Sequence, residues 1–126
     1  MTAANNSRRD EPVGCELALS EEAIAEVTNR SLETQVDVFS TLGNQTRYRI
    51  LLMLTAASEP VCGCEIEPHL NVGQSSISQS LSKLRNAGLV SRTKDGRWRY
   101  YEPTEIGRKL VDFVESTTAE EPVTAD

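Results

Sequence analysis

Residues 74–102 read QSSISQSLSKLRNAGLVSRTKDGRWRYYE, and two periodicities follow one another within them. Ile77, Leu81 and Leu84 recur at helical spacing, and Gly88 stands where a helix is stopped. Residues 89–94 and 97–102 then alternate as strands do, joined by Asp95-Gly96, a pair that supplies the positive φ of a tight hairpin turn. The helix has an unusual outer face. Gln74, Ser75, Ser76, Ser78, Gln79, Ser82 and Lys83 are short, amide or basic side chains with no glutamate among them. Gln and Ser donate and accept toward base edges, and small side chains let a backbone approach phosphate. In the hairpin, Arg97, Arg99 and Tyr101 alternate with Trp98 and Tyr100. Strand geometry puts the two arginines on one face, with Trp98 and Tyr100 on the other, expected to pack the hairpin on the domain. Arg92 and Lys94 add charge on the neighbouring strand. Such a ribbon can be an ordinary solvated surface, but beside an acid-free helix it suits phosphate or a minor groove.

Upstream, the pattern supplies the rest of a helical domain. Leu19-Ser20-Glu21-Glu22 reads as a helix start, with Ser20 as cap and Leu19 able to staple onto Ile24. A second apolar stretch, residues 36–42, ends at Gly43, and Asn44 caps a third helix carrying Ile50, Leu51 and Leu54 inward. A short helix is expected over residues 64–70, a turn at residues 71–73, and a last helix from Pro103 with Ile106, Leu110 and Val114 on one face. Helix, turn, helix and hairpin in that order is the winged helix-turn-helix arrangement, mainly α with a small β-hairpin. The expected organisation is a mobile arm over residues 1–16, one domain over 17–115 and an acidic, disordered tail over 116–126.

The net charge of −6 looks unsuited to nucleic acid until it is divided along the chain. Residues 1–39 hold 3 basic and 8 acidic side chains, whereas residues 71–101 hold 6 and 1. A local basic field on an acidic body is what a compact nucleic-acid site looks like. The acidic ends and only three lysines would also suit a high-salt cytoplasm. No stretch approaches the ~18 apolar residues that span a bilayer, and residues 1–10 lack the apolar core of a signal peptide, so a cytoplasmic protein without membrane contact is expected. At 126 residues with 38% hydrophobic composition, some apolar surface is expected to be covered by a partner subunit.

The stretch over residues 42–54, LGNQTRYRILLML, resembles the signature that opens the DNA-binding core of the ArsR/SmtB family of metal-sensing repressors. Residues 74–90 are similar to that family's recognition helix, and residues 92–101 to its wing. The resemblance spans roughly residues 32–102. It implies a winged-helix homodimer with first and last helices at the interface, each subunit reading half of a double-stranded operator.

Three cysteines in a cytosolic chain point to ligation or redox chemistry rather than to structural disulfides. Val61-Cys62-Gly63-Cys64-Glu65 resembles the Cys-x-Cys box of the family's arsenic- and cadmium-responsive members. Thiolates are soft ligands that select As(III), Sb(III), Cd(II), Pb(II) or Cu(I) over hard cations, and a helix N-terminus would lower their pKa. An i, i+2 pair reaches one ion only where the helix begins late or distorts, which Gly63 makes easy. The arsenic-type box often has a third cysteine where this chain has Glu67. Cys15 is the only other sulfur ligand of that kind, and relatives complete such sites from the N-terminal extension, so Cys15 is the expected third ligand beside Cys62 and Cys64. His69 could add a nitrogen. Residues 103–115 contain no histidine, against a zinc site on the last helix.

The implied mechanism is derepression, with no permanently bound cofactor: As(III), Sb(III) or a similar ion at Cys62 and Cys64 disfavours the operator-bound spacing. Two alternatives stand beside it. The same repressor could sense oxidants or reactive sulfur through a disulfide or polysulfide. A thiol enzyme is a poor fit to a chain with no Cys-x-x-Cys motif and one histidine.

Overall fold

The computed structural model describes residues 17–118. The chain divides into two units after Ser31. The first contains α1 (Glu21–Thr28), which starts as expected, the Ser20 hydroxyl accepting the Ala23 N–H at 3.1 Å. Glu21 and Glu22 occupy its positive end, and none of its side chains is buried.

The second unit runs α2 (Glu33–Leu42), α3 (Gln45–Ala56), β1 (Val61–Cys62), α4 (Gly63–Ile66), a 3₁₀ turn (Glu67–His69), α5 (Gln74–Asn86), β2 (Val90–Asp95), β3 (Trp98–Pro103) and α6 (Glu105–Thr118). The three strands form one antiparallel sheet in the order β1-β3-β2. The core is built from Ile50, Leu51 and Leu54 of α3, Ile66 of α4, and Ile77, Leu81 and Leu84 of α5, with Leu89, Val90, Tyr101 and Val111 closing it. The expected inward faces of α3 and α5 are the observed ones.

Each junction has a local cause. The Asn44 side chain accepts the Arg47 N–H at 3.0 Å, capping α3, while Arg47 Nε donates to the Thr41 carbonyl at 2.7 Å and so satisfies the end of α2. α5 ends at Gly88, φ 79°, with Leu89 N–H bonded to the Leu84 carbonyl and Gly88 N–H to that of Arg85. That pairing is a Schellman cap. Thr104 then joins two segments: its hydroxyl donates to the Gly88 carbonyl at 2.7 Å and accepts the Gly107 N–H at 3.1 Å. Pro103 therefore closes β3 and is buried, and the last helix starts beyond it, at Glu105.

The hairpin differs from expectation in two respects. Asp95 pairs with Trp98, so the two-residue loop is Gly96-Arg97 rather than Asp95-Gly96, with Gly96 at φ 67°. Glycine at the first loop position is what a primed turn demands. The buried face is also the other one. Tyr101 is 8% exposed and belongs to the core, whereas Trp98 is 51% exposed and Tyr100 half-buried. Alternation along β3 holds; position along the strand decides burial. Tyr101 and Pro103 lie at the root, Tyr101 beside Val61 of β1, while Trp98 stands at the tip beyond the core.

Candidate nucleic-acid interface and thiol site

Burial of Ile77, Ser80, Leu81 and Leu84 turns the opposite side of α5 outward. Gln74, Ser75, Ser78, Gln79, Ser82 and Lys83 are exposed, and Ser76 is half-buried. The first turn of α5 holds no acidic residue. Beside it, α3 brings Asn44, Thr46 and Arg47 to a polar hollow of about 130 Å³ shared with Ser76, Gln79 and Lys83. Thr46 was not foreseen from the sequence. Its signal was available, since the first turn of α3 is also free of acids.

Arg92, Lys94, Arg97 and Arg99 are all exposed on the hairpin. Among the described residues the ion pairs are Arg30–Glu26 and Lys109–Glu105, so these four cations and Lys83 have no carboxylate partner there. Unpaired guanidinium and ammonium groups beside an acid-free helix form a surface suited to a polyanion. The Arg97 guanidinium also lies 6.0 Å from the centroid of the Trp98 ring.

The thiol pair sits where extended chain turns into helix. Cys62 is extended (φ −68°, ψ 138°), pairs with Tyr100 across the sheet and precedes α4 as its cap. Its Sγ accepts the Cys64 N–H at 3.3 Å. Cys62 is buried and Cys64 exposed, both as free thiols. The helix thus begins after Cys62, the condition under which an i, i+2 pair can reach a common ion. The expectation of a depressed pKa fails at Cys64. Its thiol titrates above the ordinary value because its side chain hydrogen-bonds to Cys62; desolvation and the charges of Cys62 and Glu65 add to the effect. Only a backbone hydrogen bond acts in the other direction, and a four-residue helix supplies little dipole to help it.

The two thiols open onto a cleft of about 230 Å³ whose walls include Gln74 and Ser78 of α5 and Arg97 and Arg99 of the hairpin. The arginine side of β3, expected to face away from the domain, therefore overhangs the thiols. His69 is exposed and lines a different hollow, with Met53, Val61 and Ile66. Among the described residues no group of three His, Cys, Asp or Glu side chains is placed to hold a metal ion. Cys15 lies outside the described residues.

Comparison with known proteins adds to this geometry. Residues 44–92, from the cap of α3 to the first arginine of the hairpin, match the family described as bacterial regulatory protein, arsR family. A protein of Halobacterium salinarum that bears the name of an arsenical resistance operon repressor, ArsR, is 47% identical over 102 residues, which cover 81% of this chain and 79% of that one. The chain belongs to the ArsR family. A second H. salinarum protein named in the same way, ArsR2, is 44% identical over 89 residues, covering 71% of this chain and 75% of its own. The solution structure of a homodimeric winged helix-turn-helix DNA-binding domain from Mycobacterium bovis superposes with a TM-score of 0.64 at 23% identity, covering 83% of this chain and 92% of that one. ArsR-family proteins are helix-turn-helix transcriptional regulators and not enzymes, and the winged fold expected from the hairpin is the fold of this chain. Among the described residues no helix is long and apolar enough to cross a membrane.

Proposed function

We propose that this ArsR-family protein is a cytoplasmic, homodimeric repressor that leaves its double-stranded operator when a thiophilic metalloid, As(III) or Sb(III), is taken by Cys62 and Cys64. The observation that carries this reading is the cleft that joins the thiol pair to Gln74, Ser78, Arg97 and Arg99. α5 offers Gln74, Ser75, Ser76, Ser78, Gln79, Ser82 and Lys83 to the major groove, while Arg92, Lys94, Arg97 and Arg99 hold phosphates. Cys62 and Cys64 supply two sulfurs to a pyramidal ion, and Cys15 supplies the third. The bound ion contributes strong bonds to soft sulfur, and the same donors accept Cd(II) or Pb(II). The names carried by the H. salinarum relatives support arsenic as the effector.

Apolar side chains left exposed on two helices support the dimer. Val36 and Phe39 of α2 are 56% and 74% exposed, and Ile106 and Phe113 of α6 are 59% and 66%. Surfaces of this kind on a small domain are the ordinary mark of a subunit interface.

The test is a titration of reduced protein on operator DNA with arsenite, antimonite, Cd(II), Pb(II) and Zn(II). Arsenite releases the wild type; Cys62→Ser/Cys64→Ser stays bound; Cys15→Ser needs more arsenite. A response to peroxide or polysulfide without any response to arsenite would replace this reading with a redox or reactive-sulfur sensor of the same fold.

A further inference from the structure

The thiol segment is part of the wing sheet. Val61 pairs with Tyr101 and Cys62 with Tyr100, so the strand that carries the first thiol is hydrogen-bonded to the strand that carries Arg99. β3 is the central strand, held by β1 on one edge and by β2, with Arg92 opposite Tyr101, on the other. A second link runs through side chains. A Cβ placed on Gly63 would stand 3.5 Å from the Tyr101 ring and 3.8 Å from a methyl of Leu81, so the turn between the thiols rests against both the wing and α5. The third link is the cleft, in which Arg97 and Arg99 face Cys62 and Cys64 across open space. Neither arginine has a carboxylate partner among the described residues that would hold it in place independently of the sheet.

We infer that the wing is the element through which the thiol pair acts on DNA, and that Arg97 and Arg99 are the phosphate contacts it withdraws. The inference rests on the proposed role of Cys62 and Cys64 as effector ligands. Drawing both sulfurs onto one ion takes the Cys62 Sγ from the Cys64 N–H it now accepts and shifts the turn at Gly63, which rests against Tyr101, and a shift of the backbone there disturbs the pairing of Cys62 with Tyr100. That disturbance passes along β3 to Arg99 and the Gly96-Arg97 loop. Among the described residues the hairpin has no other strand beyond β2 to resist it. Tyr101 is the positioning residue of this path, buried between the thiol turn and the core. Release then operates within each subunit, in addition to any change in the spacing of two recognition helices.

Linkage between DNA, arsenite and salt tests the inference. Each phosphate contact contributes about 0.9 to the slope of log affinity against log salt. Operator affinity is measured across a salt series, with and without arsenite, for the wild type and for Arg97→Gln/Arg99→Gln, in which two exposed side chains change without disturbing the core. Arsenite is expected to lower the wild-type slope by about 0.9 per contact withdrawn. The variant is expected to start from the lower slope and to lose most of its arsenite response, its release factor falling well below that of the wild type. Release of the variant by the wild-type factor, with an unchanged wild-type slope, overturns the inference and leaves the proposed function standing. Failure of arsenite to release the wild type at all overturns the proposed function itself. Trp98, the only tryptophan of the chain, gives a readout without DNA. Its emission is expected to change when arsenite is added to the wild type and not when it is added to Cys62→Ser/Cys64→Ser. Unchanged emission with both thiols blocked by arsenite would mean the wing does not move.

Discussion

Cys62 and Cys64 are two residues apart yet differ in almost every physical respect. One is buried in a strand, the other exposed on a helical turn, and a hydrogen bond between their side chains raises the Cys64 pKa. A raised pKa leaves less thiolate at neutral pH, so Cys64 is expected to alkylate slowly there and faster as pH rises. Replacing Cys62 with Ala removes the largest cause of the shift. The pH midpoint of Cys64 modification by iodoacetamide is therefore expected to fall in Cys62→Ala/Cys15→Ser relative to Cys15→Ser. An equal or higher midpoint would show that desolvation and Glu65 dominate instead. None of this was legible in the sequence, which showed a helix N-terminus near two cysteines and implied the opposite sign. The hydrogen bond depends on where the strand stops and the helix starts, a matter of one residue.

Among the elements, α6 approaches the α5–β2 junction closely enough to require a glycine. A Cβ on Gly107 would overlap the Leu89 carbonyl oxygen and approach Leu51, and Gly107 N–H is held by the Thr104 hydroxyl. Gly107→Ala is expected to cost about 1–3 kcal/mol, as overpacking does, and to lower Tm by roughly 4–8 °C per kcal/mol in thermal melts. Loss of the Thr104 hydroxyl in Thr104→Val is expected to cost about 1 kcal/mol, because it removes a helix cap and a tie to the Gly88 carbonyl together. Most elements were readable beforehand. Asn44, Gly88 and Ser20 mark helix ends by side-chain or backbone chemistry that acts over three or four residues. β1 was not readable. A two-residue strand has no periodicity, and Val61-Cys62 becomes one only because β3 lies beside it.

For the whole molecule, the charge distribution and the exposed helices carry two expectations. Phe39→Glu and Phe113→Glu are expected to shift the protein toward monomer in analytical ultracentrifugation and to weaken operator binding, since each subunit then holds one half-site. A dimer undisturbed by both changes would place the interface elsewhere. The net charge of −6 opposes compaction at low ionic strength. Thermal stability is therefore expected to rise as KCl goes from ~0.1 M to ~1 M, where the screening length falls from ~10 Å to ~3 Å. Operator affinity should fall over the same range. A melting temperature flat across that series would remove the high-salt reading of the composition.

By itself the sequence determined the order of the helices, the outward face of α5 and the presence of a hairpin, because helix periodicity, caps and turn glycines are local physical chemistry. It also determined the concentration of positive charge in residues 71–101. Only the tertiary structure decided which face of β3 is buried. Burial there depends on what lies beside the strand's root, where Val61, Gly63 and Leu81 surround Tyr101, and two aromatics at positions 98 and 100 carry no information about that. The same decision turned Arg97 and Arg99 toward the thiols. The cleft shared by the thiol pair and the hairpin arginines is a product of packing between segments some 35 residues apart, and no local pattern could have announced it.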